Sequence, residues 1–389
     1  MVIVMDNGAD LQYFSAPGRV EIGGNHTDHQ HGRVLAAAID LEATAVVTMN
    51  SANIVRMNNV DFGSDEIDLS DLRFKKEEAG TPASLVRGVA AWFVERGYAV
   101  GGFDAEISSN IPLGSGLSSS AAFEVLIGNI FKALYGSEVS RIELAQAGQY
   151  AENIYFGKPC GLMDQTASSF GGLNMIDFRD PQKPVVTPVD AEFHGYNLCV
   201  VNTGGSHADL TPDYAACTSE MKSIAGFFGK GFLGEVSENE FYSSLSSMRH
   251  LGDRALLRGI HFFGDNERVL KQVEALENDD MTMFLELVIE SGRSSLAYLQ
   301  NVYSPQNPQE QGLTLALALS EKILAGCGAW RVHGGGFAGT ILAFVPHDKK
   351  ETYREKMNEV FGEGCCHYLN VSKNGGRQLT TDTRKVSAD

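Results

Sequence analysis

The sequence predicts an α+β fold of two closely packed domains. Three observations lead to this prediction: short apolar segments typical of strands, helical segments between them, and no regular alternation of strand and helix. The strand-like segments are residues 44–48, 103–107, 196–202 and 340–345. The helical segments, in which apolar residues recur at three- and four-residue steps, are 84–96, 118–135, 140–154, 267–277, 280–291 and 311–325.

Length and composition are those of an ordinary globular protein. The chain has 389 residues, of which 43% are hydrophobic and 21% charged. At roughly 150 residues per domain, this length corresponds to two or three units. No stretch rich in Pro, Gly and Ser marks a flexible linker, so we expect an N-terminal domain over residues 1–190 and a C-terminal domain over 191–389.

The charge balance and the chain's start narrow the class of partner. With 31 Lys and Arg against 49 Asp and Glu, the net charge of −18 disfavours binding to nucleic acid. The N-terminus lacks the basic and apolar regions of a signal peptide, and no apolar run reaches the roughly 18 residues that cross a membrane. We expect a cytoplasmic protein that acts on small molecules. The sequence does not predict its oligomeric state.

A glycine- and serine-rich segment at 110–122, NIPLGSGLSSSAA, runs directly into a helical pattern. A helix N-terminus offers unpaired N–H groups and the positive end of a dipole, which suit a di- or triphosphate. The residues that we expect to bind ATP are Gly114, Ser115, Gly116, Leu117, Ser118, Ser119 and Ser120. A serine-capped helix after a flexible turn is an equally good interpretation of this segment by itself.

This segment resembles the phosphate motif of the galactokinase, homoserine kinase, mevalonate kinase and phosphomevalonate kinase (GHMP) superfamily. Two more segments resemble that superfamily in the right order: APGRVEIGGNHTDHQHG at 16–32 and RVHGGGFAGT at 331–340. With CGLMDQ at 160–165, the resemblance covers about residues 15–346 and is to the galactokinases in particular. It implies a two-domain GHMP-kinase-like fold with the active site between the domains, and an ATP- and Mg²⁺-dependent sugar 1-kinase.

The resemblance also implies the catalytic groups. Asp164, in CGLMDQ, matches the aspartate that contacts the anomeric hydroxyl, although by itself it would be interpreted as a turn residue. Arg19, in APGRV, matches the arginine that joins this aspartate to the γ-phosphate. Glu152 matches the acidic Mg²⁺ ligand, with Ser120 as its partner on the ion.

The same resemblance implies a sugar site formed by Asn25, His26, Asp28, Gly161 and Tyr214. A plain core aromatic is the alternative for Tyr214. A metal site is the alternative for the histidines around Asp28, although their spacing matches no usual zinc arrangement.

The chain departs from the galactokinase pattern at two positions. Galactokinases have Glu where this chain has Asn25, and Asn where it has Glu21. The family's Glu contacts the C6 hydroxyl, whereas an Asn amide could also donate to a carboxylate. Galactose is the expected substrate, a uronic acid such as galacturonate is the alternative, and a non-catalytic sugar and ATP sensor is a third hypothesis. The triple glycine of HGGGFAG at 333–339 is expected to lie near the phosphates.

Overall fold

The protein is described by a computed structural model over residues 10–205 and 210–380. The strands are β1 (Gln12–Gly23), β2 (Arg33–Met49), β3 (Ile54–Asn59), β4 (Gly63–Asp68), β5 (Phe103–Ser109), β6 (Leu173–Asp177), β7 (Val185–Pro188), β8 (Tyr196–Asn202), β9 (Ala329–Val332), β10 (Thr340–Pro346), β11 (Cys366–Leu369) and β12 (Arg377–Leu379). The four strand-like segments of the sequence all lie within these strands.

The α-helices are α1 (Pro82–Glu95), α2 (Ser119–Tyr135), α3 (Arg141–Tyr150), α4 (Met163–Phe170), α5 (Thr211–Phe227), α6 (Glu238–Ser243), α7 (Leu245–Met248), α8 (Asp253–Glu277), α9 (Met281–Ser294), α10 (Gly312–Leu324) and α11 (Lys350–Phe361). Each helical segment of the sequence overlaps one of them, so the α+β class is confirmed. The 267–277 segment covers only the second half of α8. No helix in the described ranges is both long enough and apolar enough to cross a bilayer.

The strands form two sheets. The first has the order β12-β1-β2-β5-β3-β4, with β6 paired to β2 and β7 paired to β6. The second has the order β11-β8-β10-β9. Because β12 pairs antiparallel with β1, the chain returns to the first sheet after completing the second. The domain division at residue 190 stays a prediction.

The main core fixes the helix that begins at the phosphate segment. Helix α2 buries Val125, Ile127 and Phe131 completely, against the first sheet and α1. Full burial of one such side chain stabilises the fold by roughly 1.5–3 kcal/mol. The N-terminus of α2 is therefore held rigidly beside β1, where the N–H of Arg19 donates to the carbonyl of Leu117 at 3.1 Å.

Candidate active site

Arg19 and Asp164 form the centre of the site. The pairing of β1 with β2 shifts register between Pro17 and Arg19, a β-bulge of the kind that redirects a side chain. Nε and Nη2 of Arg19 donate to the two carboxylate oxygens of Asp164, each at 2.7 Å. Nη1 donates to the carbonyl of Gly116 at 2.5 Å. The guanidinium is thus fixed at three points, while 30% of the Asp164 side chain faces solvent.

Asp164 is held in its charged form. Burial alone would raise its pKa, but the charge of Arg19 and the hydrogen bonds from Arg19 and Ser118 more than offset burial, so the pKa lies below its ordinary value. The site therefore presents an ionised carboxylate at neutral pH, at the N-terminal end of α4.

The start of α2 does not follow the serine-capped alternative. Ser118 occupies the N-cap position with φ +62° and makes no capping hydrogen bond. Its hydroxyl instead donates to Oδ2 of Asp164 at 2.5 Å. Ser115 donates to the carbonyl of Pro112, and the side chain of Leu117 is buried in the core. The first N–H groups of α2 thus lack a side-chain cap, which suits a phosphate, although phosphate binding by residues 114–120 stays a prediction.

Glu152 and Ser120 lie in contact beside this helix start. Glu152 belongs to a π-helical turn, Ala151–Phe156, that continues α3. Its Oε1 lies 3.3 Å from Ser120 Oγ and 3.3 Å from Lys158 Nζ. Neighbouring oxygens on an octahedral Mg²⁺ are about 3 Å apart, so this pair fits the predicted metal site. No cluster of three or more His, Cys, Asp or Glu side chains in the described residues could hold a metal by itself.

Two buried residues, Gln165 and Glu124, lie beside Glu152, and the motifs gave neither of them a role. Nε2 of Gln165 donates to Oε2 of Glu152 and to Oε2 of Glu124, at 3.0 Å each. Burial, reinforced by the charge of Glu152, raises the pKa of Glu124 well above its ordinary value. The sequence signal for Glu124 was an acidic residue on the apolar face of α2.

Asn25 does not face open space. It is fully buried, and its Nδ2 donates to Oε1 of Glu21 at 2.9 Å and to the carbonyl of Gly334 at 2.6 Å. Its Oδ1 accepts from Ser295 Oγ at 3.1 Å and from Asn301 Nδ2 at 2.9 Å. A primary amide has two donors and two acceptor sites, so all four are occupied. In this structure the amide of Asn25 therefore binds protein groups, and sugar binding by Asn25 stays a prediction.

Glu21 is the acidic partner of Arg331 in this region. Arg331, which is fully buried, donates to Oε1 of Glu21 at 2.6 Å and to the carbonyl of Ile22 at 2.8 Å. Burial raises the pKa of Glu21 to about 7, against the lowering effect of Arg331 and Arg19. The carboxyl group that galactokinases have at position 25 is thus found at position 21 in this chain, where it contacts Arg331.

The helix α8 supports the turn at Asn25 through residues that the sequence analysis did not single out. Oδ2 of Asp265 accepts from the N–H of Asn25 at 2.7 Å, and Nε2 of His261 lies 2.8 Å from its carbonyl. Arg258, His261 and Asp265 are buried polar residues at three- and four-residue steps. That spacing on an otherwise apolar helical face was the available signal.

His26 and His29 form a chain of neutral rings. Nε2 of His26 lies 2.9 Å from the carbonyl of Gly335, and its Nδ1 lies 3.0 Å from Nε2 of His29. A carbonyl only accepts, so Nε2 of His26 carries the proton and Nδ1 accepts from His29. Gln30 in turn donates to Nδ1 of His29 at 3.1 Å. Burial lowers the pKa of His26 to about 3 and that of His29 to about 4.

Asp28 lies next to Gly161 and Asp164. A Cβ added at Gly161 would come within 1.7 Å of Oδ2 of Asp28, so any larger residue there would displace the Asp28 carboxylate. Burial, together with the like charge of Asp164, raises the pKa of Asp28. The structure therefore brings Asp28 and Gly161 together beside the central carboxylate, as the sequence predicted for the sugar site. Sugar binding by these two residues stays a prediction.

The third motif lies between the phosphate segment and the turn at residues 24–28. Oγ1 of Thr340 would be 2.8 Å from a Cβ at Gly116, and Nε2 of His333 accepts from the N–H of Glu21 at 3.1 Å. Tyr214, on α5, donates its hydroxyl to the carbonyl of Gly336 at 2.9 Å. The motif thus contacts the predicted sugar side as well as the phosphate side.

Comparison with known families agrees with this geometry. Residues 84–172 match the GHMP kinases N terminal domain, and residues 6–49 match the galactokinase galactose-binding signature. Galactokinase of Glaesserella parasuis serovar 5 is 31% identical over 353 residues, which cover 90% of this chain and 89% of that protein. Galactokinase of Haemophilus influenzae Rd is 34% identical over 347 residues, covering 87% and 86%.

Solved structures give the same result. The Lactococcus lactis galactokinase complexed with galactose has a TM-score of 0.82 and 28% identity, covering 95% of each chain. A mevalonate kinase has a TM-score of 0.66 at 16% identity over 93% of this chain, a likeness of fold alone.

Proposed function

The chain belongs to the galactokinase family, phosphotransferases of the GHMP superfamily that act on a sugar hydroxyl. We propose that it transfers the γ-phosphoryl group of ATP to the C1 hydroxyl of galactose. The observation that carries this proposal is the bidentate contact between Arg19 and the ionised Asp164, beside the N-terminus of α2. Phosphoryl transfer needs an oriented nucleophile and neutralised phosphate charge rather than covalent chemistry by the protein.

Asp164 accepts the hydrogen bond of the C1 hydroxyl and aims its oxygen at the γ-phosphorus. Because its pKa is lowered, Asp164 is a weak base, and it takes the proton late, as the bond to phosphorus forms. Arg19 then has a dual role: it orients the carboxylate and offsets negative charge as the phosphoryl group moves. The N–H groups at the start of α2 bind the phosphates of ATP.

Ser120 and Glu152 are the residues that would hold Mg²⁺. Their oxygens already lie 3.3 Å apart, and Gln165 fixes the orientation of Glu152 through its other oxygen. Lys158 also donates to Oε1 of Glu152, and its side chain is 65% exposed. When bound there, Mg²⁺ supplies positive charge to the phosphate oxygens.

A neutral sugar is favoured over a uronic acid. The uronic acid alternative needed a donor from Asn25, and both of its N–H groups are used by Glu21 and Gly334. The nearby guanidiniums are also engaged: Arg19 with Asp164, and Arg331 with Glu21. The described residues of this region thus offer three carboxyl groups, Glu21, Asp28 and Asp164, and neither of the two guanidiniums is left unengaged for a substrate carboxylate.

A substrate screen tests the proposal. Galactose, glucose, galacturonate, glucuronate and N-acetylgalactosamine are each assayed with Mg-ATP for release of ADP. We expect the highest kcat/KM for galactose, with galacturonate at least tenfold lower, a difference of about 1.4 kcal/mol in transition-state binding. A preference for galacturonate would overturn the substrate, and no turnover with any sugar would overturn the proposed reaction.

A further inference from the structure

Three consecutive backbone carbonyls of the third motif accept hydrogen bonds from the side chains of Asn25, His26 and Tyr214. The three donors are all residues that the sequence assigned to sugar binding. The pairs are Asn25 Nδ2 with Gly334 at 2.6 Å, His26 Nε2 with Gly335 at 2.9 Å, and Tyr214 OH with Gly336 at 2.9 Å. The donors come from two distant parts of the chain, the turn after β1 and helix α5.

The segment they hold, residues 334–337, is here called the glycine loop. It has positive φ at Gly334 (+64°), Gly336 (+75°) and Phe337 (+61°). Glycine adopts positive φ without strain, but Phe does so rarely, so the backbone conformation at Phe337 is held in place by its surroundings. A loop of this conformation keeps its shape because outside contacts impose it.

Packing adds to the hydrogen bonds. A Cβ at Gly335 would lie 2.7 Å from Cε1 of Tyr214, so the tyrosine ring lies directly against the loop backbone. The same ring meets the buried Phe337 edge-on, with centroids 5.3 Å apart. Asn301 closes the other side: its carbonyl accepts from the N–H of Phe337 at 2.5 Å, and its Nδ2 donates to Gly335 at 3.2 Å.

We infer that Asn25, His26 and Tyr214 are positioning residues that act through the glycine loop. They hold the loop in its strained conformation between the phosphate segment and the sugar side, and they do so before any substrate binds. Asn25 and His26 have both polar groups engaged with protein partners. The consequence for turnover rests on the proposed kinase function, whereas the consequence for loop order does not.

Hydrogen–deuterium exchange of the substrate-free protein tests loop order directly. In Tyr214→Phe the ring packing remains and only the hydroxyl is lost, so the fold is retained. We expect the amides of residues 334–339 to exchange about three- to tenfold faster than in the unchanged protein, since one hydrogen bond of ordinary strength is removed. His26→Phe should give the same change in the same segment.

Tyr135→Phe is the matched control. Tyr135 also donates its hydroxyl to a glycine carbonyl, that of Gly102 at 2.6 Å, but it does so at β5, away from the glycine loop. Its removal should leave exchange at 334–339 unchanged. Unchanged exchange there in both Tyr214→Phe and His26→Phe would overturn the inference, whether or not the protein proves to be a kinase.

Deoxygalactoses distinguish a positioning role of Tyr214 from direct contact with the sugar during turnover. A positioning hydroxyl predicts that Tyr214→Phe lowers kcat/KM by the same factor for galactose and for its 2-, 3-, 4- and 6-deoxy forms. A direct contact to one sugar hydroxyl predicts that the loss disappears with the one sugar that lacks that hydroxyl. Disappearance of the loss with any single deoxy sugar would assign Tyr214 to substrate binding and overturn its positioning role.

Discussion

Arg19 donates to both carboxylate oxygens of Asp164 through two N–H···O hydrogen bonds of 2.7 Å. In the protein without substrate, this contact keeps Asp164 charged and fixes its orientation. Among the residues predicted to bind phosphate, only Ser118 forms a hydrogen bond with the Asp164 carboxylate, which accepts from its hydroxyl. Catalysis and nucleotide binding should therefore be separable.

The first prediction is that Asp164→Asn lowers kcat by at least about 100-fold, within the usual range for loss of a general base. The dissociation constant for ATP, measured by calorimetry, should change by less than about threefold. Asp177→Asn is the control, because Asp177 also accepts from an arginine, Arg33 at 3.1 Å, but lies on β6. Retention of a tenth or more of kcat in Asp164→Asn would remove Asp164 from the reaction.

The second prediction concerns the metal. Ser120→Ala and Glu152→Ala should each raise the half-saturating concentration of free Mg²⁺ by about tenfold, since each removes one of few protein oxygens from the ion. Ser115→Ala is the comparison, because that hydroxyl donates within the loop to Pro112. Its Mg²⁺ dependence should stay as it is. If Ser120→Ala and Glu152→Ala showed the same dependence of activity on free Mg²⁺ as the unchanged protein, the ion would be bound elsewhere.

The third prediction is that the Glu at position 21 and the Asn at position 25 can be swapped only by changing both residues at once. Asn25→Glu alone places a second carboxylate against Glu21, and Glu21→Asn alone leaves the buried Arg331 without its charge partner. Each single change should lower kcat/KM for galactose and galacturonate alike. The double variant should recover part of the loss, with a coupling of about 1–3 kcal/mol in a double-mutant cycle. Additive losses would show that the two side chains act independently.

The fourth prediction is a pH dependence of stability that comes from Glu21. Its pKa is raised from an ordinary 4.5 to about 7 in the folded protein, so folding favours its protonated form. The resulting stabilisation is complete below pH about 4.5 and is lost as pH rises through 7.

Relative to Glu21→Gln, the unchanged protein should therefore lose on the order of 2 kcal/mol of unfolding free energy between pH 5 and pH 8. Urea unfolding of both proteins at the two pH values measures this difference. A constant difference, or one that grows with pH, would contradict the raised pKa.

The sequence was a good guide to the parts whose signal is local. Apolar runs predicted β2, β5, β8 and β10, and glycine and serine spacing predicted the start of α2. Helix α11 was missed because only four of its twelve residues are apolar, so few positions carry its helical spacing. The first half of α8 was missed because its buried face includes charged residues.

The site was predicted less completely than the fold, for a physical reason. The motifs identified Arg19, Asp164, Ser120 and Glu152, which the structure places in two contacting pairs beside the start of α2. The hydrogen bonds that decide the role of Asn25 join residues 270 and 276 positions apart in the chain. No local pattern records such contacts, so a side chain that matches a sugar-binding position could not be recognised as one that binds protein.

The central claim is phosphorylation of galactose at C1, and the position of the phosphate in the product tests it most directly. Phosphorus-31 NMR of the product from galactose and Mg-ATP should show a single sugar phosphate coupled to the anomeric proton. Methyl galactoside, whose C1 oxygen is blocked, should yield no product, and Asp164→Asn should yield almost none from galactose. A phosphate on any other carbon, or phosphorylation of methyl galactoside at a rate near that of galactose, would contradict the account.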